Sequence, residues 1–487
     1  MNMKLDMLLA ALPAAKRFGP AGREIAGIAC DSRQVRPGWL FVAIPGNKMD
    51  GFAFIDDAVT RGAVAVVTEQ APPGLKDVTV IRVPNAREAL ARLASTFYGH
   101  PSARLRLIGV TGTNGKTTVT YMIRDILESA GLSCGLIGTV EYRLGSRVIP
   151  ASRTTPDSLT LQSFLSQMVQ SGCASAVMEV SSHALDQERA WGIEFDAAVF
   201  TNLTQDHLDY HKTMEAYFEA KRRLFTAIGR GGKPAAAILN LDDPYGRRLA
   251  ESPDIKARII TYGRAPEAAV RADRIRLGPS GSAFHATTPW GEADLTLRLL
   301  GGYNVSNALA AMAACGSLGI SLSIVKQRLG EMRAVPGRLE QVPCKRGFQV
   351  FVDYAHTDDA LLNVLQTLRE ITAGRLIVVF GCGGNRDRTK RPKMGAVAGR
   401  LADYSVLTSD NPRTEDPLAI LDQIRAGIGQ APHEVVPDRA EAIRRAIGLA
   451  REGDIVLIAG KGHETFQEFD NRVIPFDDRE IARELLT

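Results

Sequence analysis

The sequence lacks the features that would place the protein in a membrane, in an oxidising compartment or on nucleic acid. None of its apolar runs approaches the ~20 residues that a membrane helix needs. Its six cysteines are scattered without a C-x-x-C pair, which indicates reduced thiols and neither a disulfide framework nor a zinc site. The net charge of +5 over 487 residues is small and gives no reason to expect nucleic acid, although a mildly basic surface suits a phosphate-bearing substrate.

The N-terminal segment loosely imitates an export signal but fits a helix better. Leu5, Leu8 and Leu12 recur at helical spacing, and Asp6 interrupts the apolar stretch. We therefore predict an amphipathic opening helix, no membrane insertion and a cytoplasmic location.

Two breaks divide the chain into three predicted domains. Gly99 and Pro101 separate a helical pattern from a strand, and Pro336 and Gly337 separate a second helical stretch from new strand-like sequence. At 487 residues the chain is long enough for several domains, each with its own core. The predicted domains are residues 1–101, 102–336 and 337–487.

Short apolar runs that end in polar clusters recur along the second and third domains. They include "SAVMEVSSH", "AAVFTNLTQDH", "RLIVVFGCGGNRD", "YSVLTSDNPR" and "DIVLIAGKGHE". Strands that alternate with helices predict parallel sheets, whose ligands gather at the carboxyl ends of the strands. The predicted fold class is α/β. A strand-rich stretch from about Arg258 to Leu299 has no firm place in this pattern.

The strongest single motif is "GVTGTNGKTT", from Gly109 to Thr118, which follows a strand-like run and opens a helical one. Glycines let backbone N–H groups surround phosphate oxygens, Lys116 supplies a positive charge, and Thr117 offers a hydroxyl to Mg²⁺. Val110 stands where the strict pattern has glycine, so the motif is a variant. A phosphate loop alone fits a kinase, a motor or a GTPase equally well.

Seven motifs that follow one another along the chain narrow the choice among these classes of protein. They are "TGTNGKTT", "MEVSSHAL", "TNLTQDHLDYH", "EAKRRLF", "GGYNVSNALAA", "PGRLE" and "VDYAHT". Together they resemble the Mur ligase family, which includes the muramyl-peptide ligases and folylpolyglutamate synthase. The resemblance implies an ATP-dependent amide-bond ligase that works through an acyl phosphate. It also implies three α/β domains, with a central P-loop-type ATPase domain and a Rossmann-like C-terminal domain.

The resemblance assigns ATP and Mg²⁺ to the middle of the chain. Lys116, His207 and Lys221 are the implied catalytic residues, and Lys221 is the lysine that the family carbamylates. In isolation His207 fits a capping histidine, and Lys221 fits a solvated helix lysine. The implied metal ligands are Thr117, Glu179, His207 and carbamylated Lys221. The implied ATP-binding residues are Gly112, Thr113, Asn114, Gly115, Lys116, Thr117, Thr118, Asn304, Asn307, Arg338 and Asp353.

The N-terminal domain resembles the UDP-binding domain of ligases that extend UDP-N-acetylmuramoyl peptides. Folylpolyglutamate synthase lacks such a domain, which argues against that relative. Trp39 and Arg153 depart from the family pattern, as does Asp358 in the turn after "VDYAHT". The implied UDP-muramoyl-dipeptide contacts are Cys30, Ser32, Asn47, Lys48, Met49, Thr154, Thr155, Ser181, Gln187 and Arg189.

The "DNPR" tetrapeptide resembles the version of the family that adds diaminopimelate. Diaminopimelate differs from lysine by one carboxylate, and Arg413 can fork onto that group with two charge-assisted hydrogen bonds. Losing such polar matches can cost ~10⁴–10⁵-fold in discrimination. The implied diaminopimelate contacts are Arg386, Asp410, Asn411, Pro412, Arg413, Gly460 and Glu464.

The expected reaction is therefore the addition of meso-diaminopimelate to UDP-N-acetylmuramoyl-L-alanyl-D-glutamate during peptidoglycan precursor synthesis, by a monomer that binds small molecules and no nucleic acid. Three alternatives remain at this point: a lysine-adding ligase, the later dipeptide-adding ligase, and a nucleotide-binding regulator without ligase activity. Arg413 disfavours the first and the "DNPR" segment the second. The intact set of Glu179, His207 and Lys221 disfavours the third.

Overall fold

The structure is a computed structural model, and it describes residues 2–46, 49–70, 75, 77–230, 232–332, 334–470 and 472–487. The chain forms two compact units. The first comprises Met1–Gly109, Gly131–Ala198 and Arg223–Ala235, and the second comprises Val110–Ala130, Val199–Arg222 and Ala236–Thr487. No helix among the described residues is long and apolar enough to cross a membrane.

The strands are β1 (Met3–Lys4), β2 (Lys16–Phe18), β3 (Glu24–Ile25), β4 (Gly27–Ala29), β5 (Trp39–Val42), β6 (Ala63–Thr68), β7 (Thr79–Arg82), β8 (Arg106–Thr111), β9 (Cys134–Ile137), β10 (Glu141–Leu144), β11 (Arg147–Pro150), β12 (Ser175–Glu179), β13 (Ala197–Phe200), β14 (Ala236–Asn240), β15 (Arg258–Gly263), β16 (Val270–Gly278), β17 (Gly281–Thr288), β18 (Gly291–Leu297), β19 (Glu340–Val342), β20 (Gln349–Asp353), β21 (Leu376–Phe380), β22 (Tyr404–Leu407), β23 (His433–Val435), β24 (Ile455–Ala459), β25 (Phe466–Phe469) and β26 (Arg472–Pro475).

The helices are α1 (Leu5–Leu9), α2 (Ile55–Thr60), α3 (Ala86–Phe97), α4 (Lys116–Ser129), α5 (Ser158–Gln170), α6 (Ser182–Asp186), α7 (Leu208–His211), α8 (Met214–Ala227), α9 (Pro244–Ala250), α10 (Gly302–Ser317), α11 (Leu322–Glu331), α12 (Asp358–Ile371), α13 (Lys390–Leu401), α14 (Pro417–Ile428), α15 (Arg439–Leu449) and α16 (Asp478–Leu486).

A five-stranded sheet of order β2-β7-β6-β5-β4 organises the start of the first unit. Strands β4 to β7 are parallel, and β2 runs antiparallel to β7. Alternate residues of β5 serve opposite faces: Leu40 and Val42 pack with α1 and α3, whereas Phe41 packs with α2. Leu5, Leu8 and Leu12 are buried there, which confirms the amphipathic opening helix.

The first unit also contains β9 to β12. Strand β12 pairs parallel with β9, and β9, β10 and β11 form an antiparallel meander. Asp157 caps α5 by accepting a hydrogen bond from the Thr160 N–H. Helix α5 then packs against β10 and α3. The polar residues at the end of β12 and in the loop before α5 therefore lie in the same unit.

In the second unit, α10 packs against α4 and against β14 to β17. The helical run that the phosphate-loop motif opens is α4, and its apolar residues Val119, Met122, Ile123, Ile126 and Leu127 are buried. The stretch that the sequence left unplaced forms β15 to β18. Strand β15 pairs parallel with β14 and with β16, and β16, β17 and β18 form an antiparallel meander. In β17, buried and partly exposed residues alternate, as expected for a strand with one covered face.

A six-stranded sheet of order β19-β20-β24-β21-β22-β23 forms the C-terminal part of the second unit. All neighbours are parallel except β19, which is antiparallel to β20. Helices α12, α13 and α14 cover one face of this sheet, and α15 and α16 cover the other. Helices on both faces of a parallel sheet confirm the predicted α/β class.

A buried ion pair ties this sheet to its C-terminal helix. The Arg439 and Asp478 side chains are fully buried, with Nη2 to Oδ2 at 2.7 Å, and Arg439 also donates to the carbonyl of Ala459 at the end of β24. Asp478→Ala leaves this cation unpaired, so we expect the free energy of unfolding to fall by about 3–5 kcal/mol.

Thermal and urea unfolding measure this loss. Glu441→Ala, which removes an exposed partner of Arg444, is the matched control and should change stability little. Equal stability of the two variants would contradict a structural role for the buried pair.

Candidate active site

The phosphate-loop motif folds as the sequence predicts. Strand β8 ends at Thr111 and α4 begins at Lys116, with Gly112 and Gly115 at positive φ between them. A Cβ atom on Gly112 would lie 1.8 Å from the Thr201 Oγ1 atom, and one on Gly115 would lie 2.5 Å from the Asn307 Oδ1 atom. Glycine is therefore required at both positions, and the loop N–H groups precede the positive end of the α4 dipole.

Two lysines converge on this loop. Lys116 Nζ donates to the carbonyls of Gly112 (3.1 Å) and Thr113 (2.8 Å), and Lys221 Nζ donates to Gly112 at 2.8 Å. Burial of Lys221, together with the charge of Lys116, holds the Lys221 pKa well below its usual value. The Lys221 amine is thus neutral more readily than that of a solvated lysine. This environment disagrees with the solvated-lysine alternative.

The two asparagines of α10 lie on one face, as their spacing predicts. Asn307 Nδ2 donates to Asn304 Oδ1 at 3.0 Å, and Asn304 Nδ2 donates to the Leu300 carbonyl at 2.7 Å. Both side chains are buried, and Asn307 lies against Gly115. The structure therefore brings this pair to the phosphate loop.

The C-terminal part of the second unit also reaches the loop. Arg338 Nη2 donates to Thr117 Oγ1 at 2.9 Å, and its guanidinium lies 4.5 Å from the centre of the Tyr354 ring. Asp353, at the end of β20, accepts from the N–H groups of Leu339 (2.6 Å) and Ala355 (2.7 Å), which fixes the backbone beside Arg338. Burial raises the pKa of Asp353.

His207 does not lie directly at a strand end. Strand β13 ends at Phe200, and His207 stands at the N-cap of α7 with a φ of +55°. Its Nε2 lies 3.3 Å from Asp206 Oδ2. Burial alone would raise the Asp206 pKa, but electrostatic interactions with His207, Lys390 and His356 outweigh burial and lower the pKa. The Asp206 carboxylate therefore ionises readily beside the His207 ring.

Glu179 ends β12 in the first unit, where it meets several of the predicted muramoyl contacts. Its carboxylate accepts from Thr139 N–H (2.9 Å) and Thr139 Oγ1 (3.0 Å), and Thr139 Oγ1 lies 3.1 Å from Thr154 Oγ1. Thr155 Oγ1 donates to the Glu179 carbonyl at 2.8 Å and accepts from Ser181 N–H at 3.0 Å. A single hydrogen-bonded cluster thus joins Thr154, Thr155 and Ser181 to the candidate metal ligand.

Arg189 and Gln187 complete this cluster. Arg189 Nη1 donates to the Thr155 carbonyl at 2.9 Å, and Nη2 donates to Gln187 Oε1 at 2.6 Å. The Arg189 guanidinium, which the sequence analysis assigned to the substrate, therefore uses some of its N–H groups to hold the loop at Thr155. Arg153, the departure from the family pattern, contacts Tyr142 through its backbone.

The N-terminal contacts are less tightly gathered. Ser32 is buried in a 3₁₀ turn that Asp31 caps, whereas Met49 is exposed. Burial, followed by the negative charges of Asp157 and Asp31, raises the pKa of the Cys30 thiol to about 12. Asn47 and Lys48, predicted for the same site, lie outside the described residues.

The predicted diaminopimelate contacts follow three strands of the C-terminal sheet: β21, β22 and β24. Asn411 Nδ2 donates to Glu464 Oε2 at 3.0 Å, and a Cβ atom on Gly460 would lie 2.7 Å from the Asp410 Oδ2 atom. Burial opposes ionisation of Asp410, but the charges of Lys461 and Arg439 prevail and lower its pKa. Loops that follow parallel strands thus meet where ligands of such sheets bind.

Arg413 lies beside the "GCGG" loop, with a φ of +55°. A Cβ atom on Gly383 would lie 3.0 Å from Arg413 Nη1 and 3.7 Å from Arg386 Cγ, so this glycine brings the two arginines together. Pro412 precedes Arg413, and its carbonyl would lie 1.8 Å from a Cβ atom on Gly384. The structure therefore gathers all seven predicted contacts of this site.

Sequence reasoning missed several groups that these sites contain. Lys461 is fully buried and donates to Asn411 Oδ1 (3.0 Å) and Glu464 Oε2 (2.8 Å). Asp206 and Lys461 occur inside motifs that the sequence displays, so those motifs held the signal, and Asp359 lies just after "VDYAHT". Thr139 and Glu468 lie outside every motif, and only the fold brings them to their sites.

The ligands that the resemblance implies for Mg²⁺ can be judged by their donor atoms. Among the described residues, no group of three or more histidines, cysteines and acidic side chains could hold a metal ion. The donors of the implied set are a hydroxyl, a carboxylate, an imidazole and a lysine that becomes a carboxylate when carbamylated, and such oxygen-rich donors fit Mg²⁺ shared with phosphate oxygens.

Comparison with known proteins gives the family. The Mur ligase middle domain matches residues 110–315, the glutamate ligase domain matches residues 337–462, and the family's catalytic domain matches residues 24–98. The chain is 49% identical, over 99% of each sequence, to the UDP-N-acetylmuramoyl-L-alanyl-D-glutamate–2,6-diaminopimelate ligase of Geobacillus thermodenitrificans. It is 44% identical, over 99% of each sequence, to the ligase of the same name from Clostridium tetani.

Solved structures agree with these relatives. A ligase structure of the same name covers 100% of this chain and 99% of its own, with a TM-score of 0.69 and 33% identity. The MurF ligase of Thermotoga maritima in complex with ADP shares the fold, with a TM-score of 0.63 at 19% identity and coverage of 94% and 95%. By its sequence matches, its near-complete coverage by these relatives and its fold, the chain belongs to the Mur ligase family.

Proposed function

We propose that this protein catalyses the ATP-dependent ligation of meso-2,6-diaminopimelate to UDP-N-acetylmuramoyl-L-alanyl-D-glutamate, with ADP and phosphate as the other products. The observation that carries the choice of amino acid is the meeting of Arg413, Asn411 and Glu464 at strand ends of the C-terminal sheet. A guanidinium, an amide and a carboxylate match the charged groups of an amino diacid. The nearly full-length relatives that bear this activity in their names support the proposal.

The division of labour follows the predicted domains. We assign residues 1–101 to the uridine nucleotide, 102–336 to ATP and 337–487 to the incoming amino acid. The reaction belongs to peptidoglycan precursor synthesis, and we propose a cytoplasmic monomer. The cluster of Thr154, Thr155, Ser181 and Arg189 supports binding of the peptide part of the acceptor in the first unit.

Phosphoryl transfer is the first chemical step. The terminal phosphoryl group passes from ATP to the acceptor carboxylate, which forms an acyl phosphate and releases ADP. Lys116 and the loop N–H groups balance the phosphate charge, and Arg338, already at Thr117, adds a second cation. Thr117, Glu179, His207 and carbamylated Lys221 would hold Mg²⁺, which when bound supplies further neutralisation of phosphate charge.

Amide formation is the second step. The uncharged amine of diaminopimelate attacks the acyl carbon, the tetrahedral intermediate collapses, and inorganic phosphate leaves as the amine loses a proton. Glu464 and Asn411, joined by a hydrogen bond, would orient the amino acid, and Arg413 would bind its far carboxylate. Exclusion of water from the site would protect the acyl phosphate from hydrolysis.

Asp359 should support the nucleotide loop through Asn114. Asn114 Nδ2 donates to Asp359 Oδ2 at 2.7 Å, and Thr204 Oγ1 donates to the same oxygen at 3.3 Å. Asp359→Ala removes this acceptor, so we expect the KM for ATP to rise about tenfold, or about 1.4 kcal/mol, while the KM for diaminopimelate stays within about twofold.

Steady-state kinetics with each substrate varied in turn measure this split. Asp358→Ala is the matched control, because the Oδ1 atom of Asp358 has no hydrogen-bond partner within the described chain. Parallel increases in both KM values for Asp359→Ala would contradict a role specific to the nucleotide.

The test of the proposed function is phosphate release by the purified chain. ATP with both substrates should give rapid turnover, whereas omission of either substrate should abolish it. A nucleotide-binding regulator would hydrolyse ATP independently of the substrates or not at all. Comparison of diaminopimelate with L-lysine separates the two amino-acid-adding ligases.

A further inference from the structure

The guanidinium of Arg413 is already held on two sides. Arg413 Nε donates to Glu468 Oε2 at 3.0 Å, and Nη1 donates to the Gly384 carbonyl at 2.8 Å. Among the described residues, none accepts a hydrogen bond from Nη2. Because a guanidinium carries five N–H donors, several of those on the two Nη atoms remain for a ligand.

Glu468 belongs to the β25–β26 hairpin, which runs alongside the "DNPR" segment. The Glu468 N–H donates to Asn411 Oδ1 at 3.0 Å, and the Arg413 N–H donates to the Glu468 carbonyl at 3.0 Å. The Asp470 N–H in turn donates to the Arg413 carbonyl at 2.5 Å. Backbone bonds on both sides thus fix Glu468 relative to Arg413, including the left-handed conformation of Arg413.

A carboxylate can approach a guanidinium along two edges. One edge presents Nε with one Nη atom, and the other presents the two Nη atoms. Since Glu468 occupies Nε, a ligand carboxylate must use the second edge. The direction from which a carboxylate can approach Arg413 is therefore fixed before any amino acid binds. This lowers the entropic cost of ordering the Arg413 side chain on binding.

We propose that Glu468 is a positioning residue that aims Arg413 at the far carboxylate of the incoming amino acid and so strengthens selection of a diacid over L-lysine. The inference rests on the proposed function, because it takes Arg413 as the receptor of that carboxylate. It concerns a residue outside the "DNPR" and "GKGHE" motifs, in a hairpin whose only ion pair with the site, among the described residues, is this one.

Electrostatics and positioning predict opposite effects when Glu468 is removed. Glu468 is negative and lies near the expected position of the substrate carboxylate, so charge alone predicts tighter binding without it. Positioning predicts weaker binding, because the substrate must then order a mobile arginine. Glu468→Gln separates the two, since its amide oxygen still accepts from Nε but carries no charge.

The experiment measures phosphate release by the full-length protein with meso-diaminopimelate varied, and the inhibition constant of L-lysine against it. For Glu468→Ala we expect the KM for diaminopimelate to rise about tenfold, with the KM for ATP and the L-lysine inhibition constant within about twofold of wild type. For Glu468→Gln we expect a KM within about threefold of wild type.

An unchanged or lowered KM for diaminopimelate in Glu468→Ala would overturn the proposal, as would a parallel loss of L-lysine binding, which indicates a general collapse of the hairpin. Glu434→Ala is the matched control, because Glu434 accepts from Arg445 Nε at 3.1 Å elsewhere in the same sheet domain; its kinetics should match wild type. A wild-type protein that fails to use diaminopimelate would overturn the proposed function, and this inference with it.

Discussion

Lys221→Ala should reduce kcat by about 10³-fold while leaving the fold intact. The Lys221 side chain is buried against the phosphate loop, and its lowered pKa makes the neutral amine more accessible than in a solvated lysine. A neutral amine adds to carbon dioxide and releases a proton to form a carbamate, which is an anion. We expect the loss because the proposed Mg²⁺ site would then lack one of its anionic ligands.

Two further variants distinguish a carbamate from a cation at this position. Lys221→Arg keeps a positive charge but cannot be carbamylated, so it should be as inactive as Lys221→Ala. A small carboxylate such as acetate, added to Lys221→Ala, should restore part of the rate by occupying the space of the lost side chain. Arg223→Ala, on the same helix and half exposed, is the control and should keep wild-type activity.

Phosphate release at varied acetate concentration measures these effects. Near-normal activity of Lys221→Arg would contradict the carbamate and favour a direct role for positive charge. Retention of activity within tenfold in Lys221→Ala would remove Lys221 from the catalytic set altogether.

Arg413→Ala should reduce kcat/KM for diaminopimelate by about 10²–10⁴-fold, because two charge-assisted hydrogen bonds of about 1.5–3 kcal/mol each are lost. ATP binding should change by less than about threefold, since Arg413 contacts Glu468 and Gly384 and none of the phosphate-loop residues. Steady-state kinetics for diaminopimelate, with an ATP titration in parallel, measure the difference.

Arg413→Lys provides the matched comparison. Lysine keeps the charge but loses the planar fork, so we expect activity between that of the wild type and that of Arg413→Ala. Selectivity over L-lysine should fall in both variants, because the amino acid without a far carboxylate loses nothing. Equal losses for ATP and diaminopimelate would count against the assigned role.

The phosphate loop was predictable because its chemistry is local. Glycines that the loop conformation requires, a lysine at a helix start and a strand before it all lie within ten or so positions of the chain. The same holds for Asn304 and Asn307, whose spacing on one helix places them together. The α/β class followed from apolar strands that end in polar clusters, and the structural comparison confirms it.

Contacts between distant segments of the chain could not be predicted from the sequence. Arg338 reaches Thr117 over 221 positions, and Asn114 reaches Asp359 over 245. Glu468 follows no motif, and its importance appears only when the hairpin pairs with the "DNPR" segment. The antiparallel meander from β16 to β18 was unplaced because alternation in exposed strands is a weak signal. The residue roles themselves stay predictions until the variants are measured.

We propose that Arg413, at the strand ends of the C-terminal sheet, selects an amino acid with a second carboxylate. This selectivity is tested most directly by phosphate release with ATP, UDP-N-acetylmuramoyl-L-alanyl-D-glutamate and either meso-diaminopimelate or L-lysine. We expect efficient turnover with the diacid and a kcat/KM for L-lysine lower by about 10⁴-fold or more. Comparable efficiency with the two amino acids would contradict it.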